Sequence, residues 1–286
     1  MTDDDAARPL TALDLGDGRA ILVDDAGPAE RDEPVLFWHH ESPHTGALYE
    51  PLLGIARERG LRIVTVARPG YGGSAPRPGR TVADAASDAL RAADLLGLGR
   101  LLVLGGSGGG AHALAMTALA GRDRVVGVVA QAAPAPFEDT PAWWDGMADD
   151  GGLRAAIRGR EARLAHAETA EFDPASFVDT DYAALAGEWT ELGRDAGVRA
   201  PAFGPAGLVD DDIAFTRPWG VDLAGIAAPV LLLQGRRDRV IPPAHARLLA
   251  AAIPHAEIRM DDTAGHIAAL AGLPAAVDNL LARMGG

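Results

Sequence analysis

Two residue types are missing from this 286-residue chain. There is no cysteine, which excludes disulfides, zinc–thiolate sites and a cysteine nucleophile, and which fits a reducing compartment. There is no lysine either, so all 26 basic residues are arginine. That removes P-loop phosphate binding, Schiff-base chemistry and a Ser–Lys dyad together. Positive charge is scarce, with 40 acids giving a net charge of −14, and nucleic-acid binding is not expected because a phosphate backbone requires a basic face. Long apolar runs are absent too. None approaches the roughly 18–20 residues of a membrane span, and the opening MTDDDAARPL lacks the basic start and apolar stretch of a secretory leader. A cytoplasmic location away from membranes is expected.

What remains has a globular composition, 48% hydrophobic and 23% charged. Short β-type runs alternate with amphipathic helical stretches, the pattern of an α/β fold. Strands are expected at 10–15, 19–24, 35–38, 61–66, 101–104, 125–130, 228–233 and 256–260. Helices are expected at about 47–59, 81–96 with Thr81 as N-cap, 108–120, 245–252 and 267–283. The alternation stops between residues 136 and 220, which read as mostly helical. The expected organisation is a core of residues 1–135 and 221–286 with a helical cap, 136–220, inserted between two strands. The cap holds ten of the fourteen aromatic residues and 17 acids against 7 arginines. It reads either as a small unit using aromatics for its own core or as an aromatic lid over an electronegative pocket, favouring neutral or cationic apolar ligands.

The sharpest local signal is Gly105-x-Ser107-x-Gly109, between an apolar strand and a helix. This is the nucleophile-elbow pattern. Its glycines let two backbones pass closely, and the helix start aims N–H groups at a developing oxyanion. Gly106-x-Gly108-x-x-Ala111 also fits a dinucleotide fingerprint. That motif needs an acid about 20 residues on, where the next strand ends in Gln131-Ala132-Ala133, so no cofactor is expected.

A serine hydroxyl needs an imidazole to take its proton and a carboxylate to orient that imidazole. In the chain order Ser, acid, His, the candidates are Ser107, then Asp238 just past a strand, then His266 in Ala264-Gly265-His266. Asp222 or a residue near 131–138 is the fallback acid. His112 is expected to pack against the core, and His166, His245 and His255 lack such a context. His40-Glu41-Ser42-Pro43-His44 matches H-E-x-x-H, but Pro43 would break the helix a zinc site needs, so no metal is expected. As the loop after the third strand it is placed to supply one oxyanion N–H, the other coming from Gly108.

With these residues the chain resembles the α/β-hydrolase superfamily over nearly its whole length, and most the esterase and proline iminopeptidase-like group of high-GC bacteria. The resemblance rests on the elbow, the loop Arg68-Pro69-Gly70-Tyr71-Gly72-Gly73-Ser74, Gly235-x-x-Asp238 and Gly265-His266. It implies a mostly parallel sheet flanked by helices and a cofactor-independent serine hydrolase acting on an ester, thioester or other acyl bond of a mostly apolar small molecule. Where the group usually reads H-G-x-P, this chain has His40, Glu41, Ser42 and Pro43, which puts Ser42 on the oxyanion residue and Glu41 in place of glycine. His44 replaces a common glycine and Ala67 a common acid. A serine nucleophile departs from the haloalkane-dehalogenase and epoxide-hydrolase branches, and Gly108 stands where proline iminopeptidases carry Trp. Two alternatives stay open: a proline iminopeptidase-like aminopeptidase, and a lyase or cyclase using His40, Glu41 and His44. Trp143 and Trp144 are candidate substrate contacts, a non-catalytic ligand-binding member is a third class, and a homodimer is left open.

Overall fold

The computed structural model describes residues 8–28 and 33–284. Among the described residues eight strands form one sheet: β1 (Thr11–Asp14), β2 (Ala20–Ala26), β3 (Val35–His39), β4 (Ile63–Val66), β5 (Leu101–Gly106), β6 (Val125–Gln131), β7 (Val230–Gly235) and β8 (Ala256–Asp261). Their spatial order is β1-β2-β4-β3-β5-β6-β7-β8. Only the β1–β2 and β2–β4 pairings are antiparallel. All later pairs are parallel. The sheet is thus the mostly parallel, helix-flanked one expected from the sequence.

The central strands are buried on both faces, as apolar runs such as Leu101–Gly106 require. Alternate residues serve opposite layers. Val35, Phe37, Leu101 and Val103 pack with α2 (Val82–Leu95), α3 (Gly108–Ala120) and α10 (Pro243–Ala252). Leu36, Trp38, Leu102 and Leu104 pack with α1 (Glu50–Glu58) and α11 (Leu273–Ala282). Because β3 to β8 are parallel, their C-terminal ends share one edge, and the loops leaving that edge can meet.

Most boundaries follow local chemistry. Thr81 begins α2 with a reciprocal capping box, its hydroxyl accepting from Asp84 N–H and its own N–H donating to the Asp84 carboxylate. The helix expected over 47–59 starts only at Glu50, with Pro51 in the first turn. The closing helix expected over 267–283 is two pieces, a 3₁₀ turn Ala268–Gly272 and then α11. Pro274 accounts for the break. It has no N–H to donate, so it suits a helix's first turn but not its interior.

Between β6 and β7 the described chain has no strand. It runs through α4 (Pro141–Trp144), α5 (Gly151–Ile157), α6 (Arg160–Thr169), α7 (Asp179–Leu185), α8 (Thr190–Arg194) and α9 (Ala206–Phe215). Its aromatics do not gather into one lining. Trp189 joins the layer beneath α1 and α11, and Phe215 and Trp219 join the opposite layer. Phe137, Trp143 and Trp144 stack with one another, while Phe172, Phe177 and Tyr182 form a separate outer cluster.

Candidate active site

Ser107 sits between the last residue of β5 and the first of α3 with φ 51° and ψ −127°, a backbone region that costs a non-glycine residue about 1–3 kcal/mol. Crowding explains the glycines around it. A Cβ on Gly109 would overlap the carbonyl oxygens of His39 and His40, and one on Gly105 would overlap the Gly109 carbonyl. The turn is held by Ser107 N–H donating to the Gln131 carbonyl at 2.8 Å.

His266 and Asp238 arrive at the same point from the loops after β8 and β7. His266 Nε2 lies 3.0 Å from Ser107 Oγ, and His266 Nδ1 lies 2.8 Å from Asp238 Oδ2. All three residues are buried. The other Asp238 oxygen accepts the N–H groups of Val240 and Ile241, each at 2.9 Å, so the carboxylate is fixed at both ends. Gln131 adds a brace, its side-chain amide donating to the His266 carbonyl at 2.6 Å. Burial pushes the imidazole pKa down, but the charge of Asp238 and its hydrogen bond, helped by Asp181 and Glu41, outweigh it and raise it above 6.5.

Ser42 stands beside the start of α3, since a Cβ on Gly108 would lie 2.8 Å from Ser42 Oγ. Gly108 is the first residue of α3, and helix geometry leaves its N–H without an intrahelical acceptor. The Ser42 hydroxyl donates to Asp211 Oδ2 at 2.8 Å and accepts from Arg68 Nη2 at 2.7 Å. Glu41 is buried with its carboxylate against Gly106, the residue before Ser107, and both its oxygens accept from the Tyr49 hydroxyl.

The remaining candidates are differently engaged. His40 Nε2 accepts the Arg68 N–H and its Nδ1 faces the Glu41 carbonyl at 2.7 Å. Burial, with Arg68 nearby, holds this imidazole well below its usual pKa. His44 Nδ1 lies 3.1 Å from Asp195 Oδ2. Neither histidine lies on a helix, and among the described residues no group of three or more His, Asp or Glu is arranged to hold a metal ion. The Trp143 indole donates to the Ala135 carbonyl and its ring packs on His245. Trp144 donates to Asp139 and lies under Arg154. His112 and His245 are buried as well, His112 on Asp211 and His245 between Ala135 N–H and the Trp143 carbonyl.

Sequence reasoning missed three buried aspartates of the β6–β7 segment, each gripping a loop of this edge. Asp181, on α7, accepts the N–H groups of Ile267 and Ala268. Asp195, just after α8, accepts Thr45 N–H at 2.7 Å and the Thr45 hydroxyl at 2.8 Å. Asp211, on α9, takes Arg68, Arg80, Tyr71, Ser42 and His112. Burial pushes the Asp211 carboxyl up, but Arg68 and Arg80 hold it well below the usual range.

A cleft of about 370 Å³ is lined by Pro43, His44 and Tyr71 and by Ala200, Phe203 and Leu208, while Ser107, Asp238 and His266 do not line it. A shallow depression lined by Asp238 is also bordered by Arg236, Arg237, Arg239 and Arg247, so the surroundings are not uniformly negative. No helix among the described residues is long and apolar enough to cross a membrane.

Solved structures share the architecture. A thermophilic esterase from Thermogutta terrifontis matches with a TM-score of 0.69 at 21% identity, over 96% of this chain and 99% of that one. The enol-lactonase from Burkholderia xenovorans LB400 gives 0.69 at 22%, over 96% and 100%. A bromoperoxidase from Bacillus anthracis gives 0.69 at 24%, over 96% and 98%. No curated protein matches the chain. At these identities the likeness speaks to the fold. The family model described as alpha/beta hydrolase fold matches residues 34–273, most of the chain, and the protein therefore belongs to that family.

Proposed function

We propose that the protein is a serine hydrolase that cleaves an acyl bond of a mostly apolar small molecule through an acyl-enzyme. The observation that carries this reading is the unbroken relay Asp238–His266–Ser107, with contacts of 2.8 and 3.0 Å, at the C-terminal edge of the sheet. In this reading Ser107 Oγ attacks the carbonyl carbon as His266 Nε2 takes its proton. The N–H groups of Ser42 and Gly108 receive the oxyanion. The imidazolium then protonates the leaving group as its bond to carbon breaks, and water repeats the sequence to release the acid and restore Ser107.

The cleft between Pro43 and Tyr71 and the residues Ala200, Phe203 and Leu208 of the β6–β7 segment supports that segment as a cap receiving an apolar substrate portion. Glu41 has two opposed effects: its negative charge works against an oxyanion near Gly108 but favours the imidazolium on His266. Its burial against Gly106, hydrogen-bonded by Tyr49, keeps a second reading in view, a lyase or cyclase with Glu41 as acid–base group. Labelling by a fluorophosphonate probe tests the first reading, with strong labelling of the wild type and none of Ser107→Ala expected. Equal labelling of both would overturn it. p-Nitrophenyl esters of increasing acyl length, beside proline p-nitroanilide, separate an esterase from an aminopeptidase. Turnover of the true substrate that survives Ser107→Ala and disappears in Glu41→Gln would establish the second reading.

A further inference from the structure

The turn that carries His266 is held from outside the core. Asp181 is fully buried on the first turn of α7. One carboxylate oxygen accepts Ile267 N–H at 2.8 Å and Ala268 N–H at 2.9 Å, and the other accepts Val178 N–H at 3.1 Å. Ile267 and Ala268 are the two residues after His266, and Ala268 opens the 3₁₀ turn. On the other side of His266, Gly265 makes room for this contact, since a Cβ there would overlap the Asp181 carboxylate. Three N–H groups on one carboxylate make a strong, charge-assisted anchor, and here it spans 86 residues of sequence.

We propose that Asp181 is a positioning residue that fixes the His266 turn, so that the helical segment between β6 and β7 sets the alignment of the catalytic base with Ser107. The inference rests on the reading of His266 as that base. A mere structural cap would affect stability alone. A positioning carboxylate also changes the reaction, because a small displacement of a catalytic group costs rate rather than binding. The groups facing His266 are Ser107 from the elbow, Asp238 from the β7 loop, Glu41 from the β3 loop and Asp181 from α7, with the Gln131 amide on its carbonyl. Removing the Asp181 charge takes away one of three negative charges that favour the imidazolium.

Asp181→Asn keeps the size and removes the charge. In a folded variant, kcat on a p-nitrophenyl ester should fall about 10-fold with KM within about twofold. The His266 ring, followed by NMR, should titrate at a lower pH than in the wild type. In the wild type, the Ile267 and Ala268 amides should be protected from hydrogen exchange, a measurement that does not depend on the variant folding. Wild-type kcat with an unmoved His266 titration in Asp181→Asn would overturn the inference, as would Ile267 and Ala268 amides exchanging at free-loop rates. Fluorophosphonate labelling of wild-type Ser107 reports separately on the underlying reading. If Ser107 stays unlabelled, the base assignment fails, while the ring titration and amide protection still measure the Asp181 contact.

Discussion

Asp211 accepts the hydroxyl of Ser42 at 2.8 Å across 169 residues of sequence. That one carboxylate also pairs with Arg68 and Arg80, both buried with it. The loop expected to supply an oxyanion N–H is therefore locked to α9 through a buried charge cluster. Removing one member leaves like charges without a partner in a low-dielectric site. Asp211→Asn should lose about 3–5 kcal/mol of stability in urea denaturation. Because its folded pKa is depressed, the contribution of Asp211 is present above the unfolded value of 3.8 and is lost as pH falls below it. The gap between wild type and variant should accordingly shrink in acid titrations below that value.

The pH profile should report His266. Its pKa is raised above 6.5, and a general base works only when neutral, so kcat/KM should rise with pH through a value above 6.5. Glu41→Gln removes one favourable charge, and the acid limb should move to lower pH. A limb that stays in place would show that Glu41 does not act on the base. The raised pKa also means that His266 contributes stability fully below 6.5 and loses it as pH rises through the folded value.

Strain at Ser107 gives a stability prediction independent of chemistry. With φ 51° the residue occupies a region that glycine enters freely. Ser107→Gly should abolish turnover yet be about 1 kcal/mol more stable than the wild type, measured by urea or thermal unfolding. An equally stable or weaker variant would mean that the hydroxyl's contacts outweigh the backbone strain.

Gly109→Ala probes the close approach behind the elbow. The new methyl would meet the His39 and His40 carbonyl oxygens, both on rigid backbone. A loss of about 3 kcal/mol or more, or failure to fold, is expected. Gly97→Ala serves as the contrast, since it has open space around it and only the cost of a positive φ.

The parts of the site that were legible in the sequence obey local rules. Ser107 was found from a strand, turn and helix written within a dozen residues, and Thr81 from its own capping signal. His266 and Asp238 followed because parallel strands deliver their loops to one edge. The brace from Gln131 left no such trace, since Gln131 appeared only as the residue ending a strand. Asp181, Asp195 and Asp211 were counted with the charge of an acidic segment, although each is buried on partners 86 to 169 residues away. No periodicity marks a carboxylate whose partners are backbone N–H groups of a distant loop. The aromatics left two readings open for a related reason, because composition records that Trp189 and Phe215 are present but not that they fill opposite layers of the core.

The grip of Asp181, Asp195 and Asp211 on three loops also ties the edge of the sheet to the docking of the residues between β6 and β7. That segment also gives Trp189, Phe215 and Trp219 to the two apolar layers, so undocking it would open the core and release the edge loops together. The alignment of His266 with Ser107 is in this way coupled to the packing of the whole segment, and a local opening there would disturb both at once.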